Sequence, residues 1–274
     1  MVIVKLLGGM GNQMFQYACA KYLAYRLKTR LVIDTRFLSL TIETAREYCL
    51  DAFAVKETFF QDVPCQKMPK YFTLIEDTSH LRFNTSIQKY ASKNTYLSGH
   101  WQSWRYFQEI NPLIRKRFRV STNKISGENL RLSEIIRQSN SVSIHVRRSD
   151  YLLPQYSFID VLPIDYYKKS LKYITNRVEN PIFYIFSDDP EWAGNNLEIP
   201  FETHIIEGNT NIEDLYLMSQ CKHNIIANST YSWWGAWLNT FPGKIVIAPK
   251  MWLIGCNLKT ENTDIIPPEW VCLY

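Results

Sequence analysis

Four short clusters in this chain combine side chains that bind anions or move protons. The sharpest is His145-Val146-Arg147-Arg148-Ser149-Asp150. It sits at the end of a predicted strand, 141–146, where open α/β sheets bind their ligands. An arginine stays charged, and its fork matches phosphate oxygens two at a time. Alternation puts His145 and Arg147 on one side and Arg148 on the other, if the strand persists that far. Asp150 can hold an arginine in place or serve as a base. A structural Arg–Asp pair is the plain alternative.

Phe186-Ser187-Asp188-Asp189-Pro190 follows a second strand. Asp189 before Pro190 reads as a helix cap with proline at the first helical position. That leaves Asp188 free at the strand end. One carboxylate there can accept the N1–H and the 2-amino group of guanine together, a pairing that adenine cannot offer. The third cluster is Asn228-Ser229-Thr230-Tyr231-Ser232-Trp233-Trp234-Gly235. Hydroxyls and amides at a helix start cradle anions, or merely cap the helix. The tryptophans at 233, 234 and 237 read as packing. The fourth cluster is Gly8-Gly9-Met10-Gly11, three of only ten glycines, between a strand and a helix. It allows a tight turn and close approach of a ligand. It is neither G-x-G-x-x-G nor a P-loop.

Other chemistries find little support. The pair at 188–189 is not D-x-D, and the five histidines show no zinc spacing, so no metal site is expected. No G-x-S-x-G elbow is present. The net charge of +5 suits an anionic ligand or a membrane surface and is too weak to argue nucleic acid. The six cysteines form no C-x-x-C pair and read as reduced and cytosolic. No apolar run reaches the roughly 18 residues of a membrane span. A cytoplasmic protein is expected, peripheral on the membrane's inner face at most.

The elements that must position these clusters alternate. Residues 2–7 read as a buried strand, 12–28 as a helix and 31–33 as a strand, one βαβ unit. Residues 37–94 are harder to read, 95–98 form a short strand, and 101–118 read as helix broken at Asn111-Pro112. The polar stretch 119–140 suits a domain boundary. Strands then fall at 141–146, 182–186, 203–206, 224–227 and 244–248, with helices at 165–178, 190–197, 211–221 and 231–238. This pattern predicts two Rossmann-like domains with parallel sheets facing a cleft, 1–125 and 126–274, the last ~20 residues packing back on the first.

The four clusters occur in the order found in the bacterial α-1,2-fucosyltransferases, glycosyltransferase family 11. The chain resembles that family over nearly its whole length, through Gly8-Gly-Met-Gly-Asn-Gln13 with Phe15-Gln16, His100-Trp-Gln-Ser103, the 145–150 element, Phe186-Ser-Asp-Asp189 and the 228–235 element. The His-x-Arg-Arg-x-Asp element also resembles that of α-1,6- and protein O-fucosyltransferases, so it marks the superfamily more firmly than the linkage. The resemblance implies a GT-B fold, GDP-β-L-fucose as donor, a galactoside-terminated glycan as acceptor, inversion, and no cofactor or required metal. A lipid-linked acceptor would bring the protein to a membrane.

Carried over by residue, the resemblance implies Arg147 on the β-phosphate, with Arg148 nearby or supporting. His145 and Asp188 would lie beside guanine and ribose, and Asn228, Ser229, Thr230 and Ser232 along the diphosphate. Gly9, Gly11, Asn12 and Gln13 would join the donor-binding residues from the first domain, Asn12 and Gln13 facing the reacting centre. Catalytic roles fall to Arg147, Asn12 and Asp150, the last as a first choice of base. The α-1,6 enzymes carry a glutamate about five residues beyond their matching aspartate, where this chain has Gln155. Another linkage, α-1,3 or α-1,6, and a non-catalytic carbohydrate-binding protein remain as alternatives.

Overall fold

The structure, a computed structural model, describes residues 1–39, 46–62, 72–78, 81–254, 256–257 and 263–273. Cys65 and His80 lie outside them. The chain divides into two compact units, Met1–Arg119 with Asn262–Pro267, and Val120–Glu261 with Pro268–Tyr274.

Unit 1 contains β1 (Val2–Lys5), α1 (Met10–Arg26), β2 (Leu31–Asp34), β3 (Thr58–Phe59), β4 (Thr73–Glu76), α2 (Ser86–Tyr90), β5 (Thr95–Ser98) and α3 (Asn111–Arg117). Its strands are parallel in the order β3-β2-β1-β5-β4. β1 and β2 are apolar and buried up to their last residues, Lys5 and Asp34, as strands covered on both faces must be. The expected helix over 101–118 forms only at its end. Residues 104–106 and 108–110 are 3₁₀ turns, and α3 starts at Asn111 with Pro112 in its first turn, where a missing N–H costs nothing.

Unit 2 contains α4 (Gly127–Gln138), β6 (Ser141–Val146), α5 (Ile164–Thr175), β7 (Ile182–Ser187), α6 (Pro190–Asn196), β8 (Thr203–Ile206), α7 (Asn211–Gln220), β9 (His223–Ile225), α8 (Thr230–Leu238), β10 (Val246–Pro249), β11 (Met251–Leu253), β12 (Cys256–Asn257) and β13 (Val271–Leu273). Six parallel strands run in the order β13-β10-β9-β6-β7-β8, and β11 and β12 form a separate antiparallel pair. The core gathers the inward residues of β6 and β7 under Tyr166, Tyr167, Leu171 and Ile174 of α5. Helix α4 falls where the polar composition suggested only a boundary. It is half-exposed, and its start is secured by the Ser126 hydroxyl accepting from Asn129 N–H. In α8, Trp233 and Trp234 are fully buried and Trp237 nearly so, packed with Trp270, which is the packing role expected for them.

Both strand orders reverse direction once. In unit 2 the chain moves one way from β6 through β7 to β8 and the other way through β9, β10 and β13. In unit 1 the reversal lies between β1 and β5. Open α/β sheets bind ligands beyond the carboxyl ends of the strands at such a reversal.

Candidate active site

Three loops meet at the carboxyl edge of the unit 2 sheet, after β6, β7 and β9. Arg147 leaves β6 one residue past its end. Its Nη2 donates to Asp150 Oδ2 at 2.6 Å, and its Nη1 lies 3.2 Å from Asp188 Oδ2. Burial works against the charge of this guanidinium, but Asp188 and Asp150 outweigh it and raise the pKa above the usual arginine value. Tyr151 stands beside Arg147, its ring 5.6 Å from the guanidinium. Its hydroxyl donates to the Asn228 carbonyl at 3.1 Å, tying the β6 loop to the β9 loop across the reversal. Burial pushes that phenol up to about 12, so it stays a donor.

The β9 loop runs into α8. Ser229 occupies the N-cap with extended backbone, yet its side chain caps no amide, and the first turn has no acidic residue. The positive end of this helix therefore points at the same edge as Arg147 with no acidic residue of its own first turn to offset it. Asn228 is buried; its Nδ2 donates to the carbonyls of Asp160 and Trp252, while its Oδ1 has no partner. His145 is 5% exposed, and its Nδ1 has no partner either. Burial first, and Arg147 second, lower its pKa to about 3, so the ring is neutral. Buried polar atoms are rarely left unmatched, and two of them flank this reversal.

Several expectations need correction. Asp188 is not free. Its carboxylate accepts from the Arg148 N–H at 2.9 Å and the Ser149 N–H at 3.1 Å as well as facing Arg147. It anchors the β6 loop, because a carboxylate at the neighbouring strand end meets the amides exposed where β6 stops. Ser232 is buried inside α8, its hydroxyl donating to the Ser229 carbonyl at 3.3 Å, so it does not line the cradle surface. Thr230 follows as the first helical residue. Arg148 turns aside, its Nε 3.3 Å from Asp189 Oδ2 and its guanidinium 3.8 Å from the Trp192 ring. Asp189 caps α6 through the Trp192 N–H, as its sequence implies.

Unit 1 holds Gly9, Gly11, Asn12 and Gln13 at the start of α1. Gln13 is fully buried and does not face outward. Its Nε2 donates to the Gly8 and Glu47 carbonyls and its Oε1 accepts from the Cys49 N–H, which clamps the 47–49 segment to the turn. Gly9 has ordinary backbone and open space where a Cβ would stand. The glycine that the turn needs is Gly8, at φ +71°, where a Cβ would sit 2.5 Å from Asn12 Nδ2. Asn12 Oδ1 accepts from Gln102 Nε2 at 2.9 Å, so the β5 end reaches the α1 start across the reversal of unit 1. Gln102 follows a strained turn: Gly99 at φ +137° packs on Asp77, and buried Trp101 sits at φ +55° with its N–H donating to Asp77 Oδ2. Such strain persists where the surroundings over-determine it, and it clusters at functional sites. Gln102 lies within the His100–Ser103 stretch of the resemblance, which gave it no role, and Tyr151 directly follows the 145–150 element.

The sequence profile of Glycosyl transferase family 11 matches residues 1–274. The chain is 33% identical over 293 residues to an α-1,2-colitosyltransferase of Escherichia coli, covering 98% of each chain. It is 26% identical over 243 residues to galactoside α-(1,2)-fucosyltransferase 1 of Mus musculus, covering 84% of this chain and 61% of the mouse one. In fold it is similar to the α-1,6-fucosyltransferase NodZ, whose crystals were soaked with GDP-fucose, at a TM-score of 0.55 and 15% identity over 86% of this chain and 91% of that one. The architecture is the GT-B type of α/β fold. With a family profile spanning every residue and a full-length relative at this identity, the chain belongs to glycosyltransferase family 11 and is a nucleotide-sugar-dependent transferase.

Proposed function

We propose that this chain transfers L-fucose from GDP-β-L-fucose to O2 of a terminal β-galactoside, with inversion to Fucα1-2Gal and without a metal ion. The observation that carries the reading is Arg147, held by Asp150 and Asp188 beside the N-terminus of α8 at the reversal of unit 2. When the bond from C1 to the β-phosphate oxygen breaks, its electron pair leaves with GDP. A guanidinium and a helix N-terminus fixed beforehand stabilise that charge without reorganising. The sugar passes through an oxocarbenium-like state. The acceptor O2 forms the new bond to C1 from the opposite face and gives its proton to water.

Asp150 serves Arg147 in this reading, not the acceptor: its Oδ2 is taken up by the guanidinium at 2.6 Å. The unmatched Asn228 Oδ1 accepts from N–H or O–H groups of the nucleotide part, and His145 Nδ1 offers it an acceptor or a donor according to the ring's tautomer. Asn12, oriented by Gln102, presents an amide at the carboxyl edge of the unit 1 sheet.

A turnover assay with GDP-fucose and lactose, with and without EDTA, followed by NMR of the product, tests this. Fucose on the galactose O2, formed equally well with EDTA, supports donor, linkage and metal independence together. Transfer at another position supports the α-1,3 or α-1,6 alternative. Glycan binding with no affinity for GDP refutes the transferase mechanism. A second donor is favoured by the similarity to a colitosyltransferase. Colitose is fucose without the 3-hydroxyl, and a site built to bond that hydroxyl would reject the deoxy sugar by about 10⁴-fold or more. Comparing kcat/KM for the two GDP sugars decides between them.

A further inference from the structure

The chain's charge is unevenly divided. Unit 1 has 18 Lys and Arg against 10 Asp and Glu, a net of +8, while unit 2 has 13 against 16, a net of −3. Part of the unit 1 excess gathers in a hollow of about 760 Å³ where α1 ends and α3 passes. Lys21, Arg26, Lys28, Arg30 and Arg117 line it with Tyr25, and no carboxylate does. Arg26 faces Glu109 at 3.2 Å, but both side chains are more than half exposed, and such pairs contribute little. Lys21 pairs with the buried Glu57. Among the described residues no carboxylate pairs with Lys28, Arg30 or Arg117. The C-terminus of α1 calls for about half a positive charge, far less than five side chains supply. Tyr25 is 60% exposed at the same place, and an exposed ring with a polar tip suits a membrane–water interface.

We propose that unit 1 docks on an anionic phospholipid bilayer through this basic hollow at the C-terminal end of α1. The hollow and Asn12 lie toward opposite ends of a 17-residue helix, about 25 Å long. Docking there leaves the carboxyl edge of the unit 1 sheet open to ligands. A bilayer is favoured over nucleic acid because the charge forms a compact hollow with one aromatic, not a groove lined by stacking rings. The proposal does not rest on the donor or acceptor assignment, which GDP calorimetry reads separately.

The test is co-sedimentation of the full chain with phosphatidylcholine vesicles, with and without phosphatidylglycerol. Binding is expected only with the anionic lipid, and it is expected to vanish near 1 M salt, where charges are screened within about 3 Å. Each basic residue near an anionic surface contributes about fivefold. The K28E/R30E variant should therefore bind at least about 25-fold more weakly, with GDP affinity and thermal midpoint unchanged, while K28R/R30K binds like the parent. Equal binding to neutral vesicles overturns the proposal, as does undiminished binding by K28E/R30E. So does the absence of vesicle binding, whether or not a single-stranded RNA control binds.

Discussion

Arg147 concentrates the chemistry of unit 2 in one side chain. It is charged in a place where burial opposes charge, and two carboxylates keep it so. Arg147→Ala should lower kcat/KM by about 10²–10³-fold, the usual effect of removing one preorganised charge stabiliser, while the circular dichroism spectrum is retained. Parent-like turnover in the folded variant would remove Arg147 from the mechanism. Gln102 acts through another residue. Its Nε2 fixes the Asn12 amide, and Gln102→Glu replaces that donor with an acceptor. The expected outcome is a loss on the order of 10²-fold in transfer, as for a misplaced catalytic contact. GDP affinity, measured by calorimetry, should not move, because the proposed nucleotide residues lie in unit 2. An equal loss of GDP affinity would mean a general structural fault instead of positioning.

Helix starts decide which segments are held and which are left for ligands. Helix α7 closes on itself through a Thr210–Glu213 capping box, and the same Glu213 accepts from the Ser126 N–H and from Asn129 Nδ2 at the start of α4. These hydrogen bonds, the Ser126 amide foremost, lower its pKa to about 2, against about 4.3 in an unfolded chain. Below about 4.3 the unfolded state takes up the proton first. The stabilisation is complete above that pH and fades as pH falls toward 2. Glu213→Gln should cost on the order of 2 kcal/mol at pH 7. In urea unfolding the gap to the parent should shrink by pH 3, and a constant gap would contradict the assignment. Helices α1 and α8 lack such side-chain caps, and both begin where a sheet reverses direction.

Each unit has its own parallel sheet and its own reversal, and the residues proposed for the nucleotide all sit on unit 2. GDP at about 100 times its Kd should stabilise the fold by about 2.7 kcal/mol. Amide exchange should slow most at 147–150 and 228–232. Strongest protection in unit 1 would place the nucleotide elsewhere. The charge follows the same division, with the positive excess confined to unit 1.

Sequence alone determined the alternation of strands and helices, the parallel sheets and the four clusters. Each of these is a local property: buried parallel strands are apolar runs, and glycine, proline and capping residues act on their neighbours. It did not reveal α4, whose outward face dilutes its apolar stripe, or β13, three residues that pair with β10 only after the chain returns. It also could not tell which polar side chains are engaged. Asp188 and Gln13 looked available, and the fold commits both to backbone groups from segments roughly 40 and 35 residues away. The sequence placed His145 in a functional cluster, but only the fold shows that burial makes it neutral and leaves Nδ1 unmatched. Hydrogen-bond partners are chosen by strand order and loop return, which are tertiary facts, so only the tertiary structure separated the side chains that hold the loops from those left to meet a ligand.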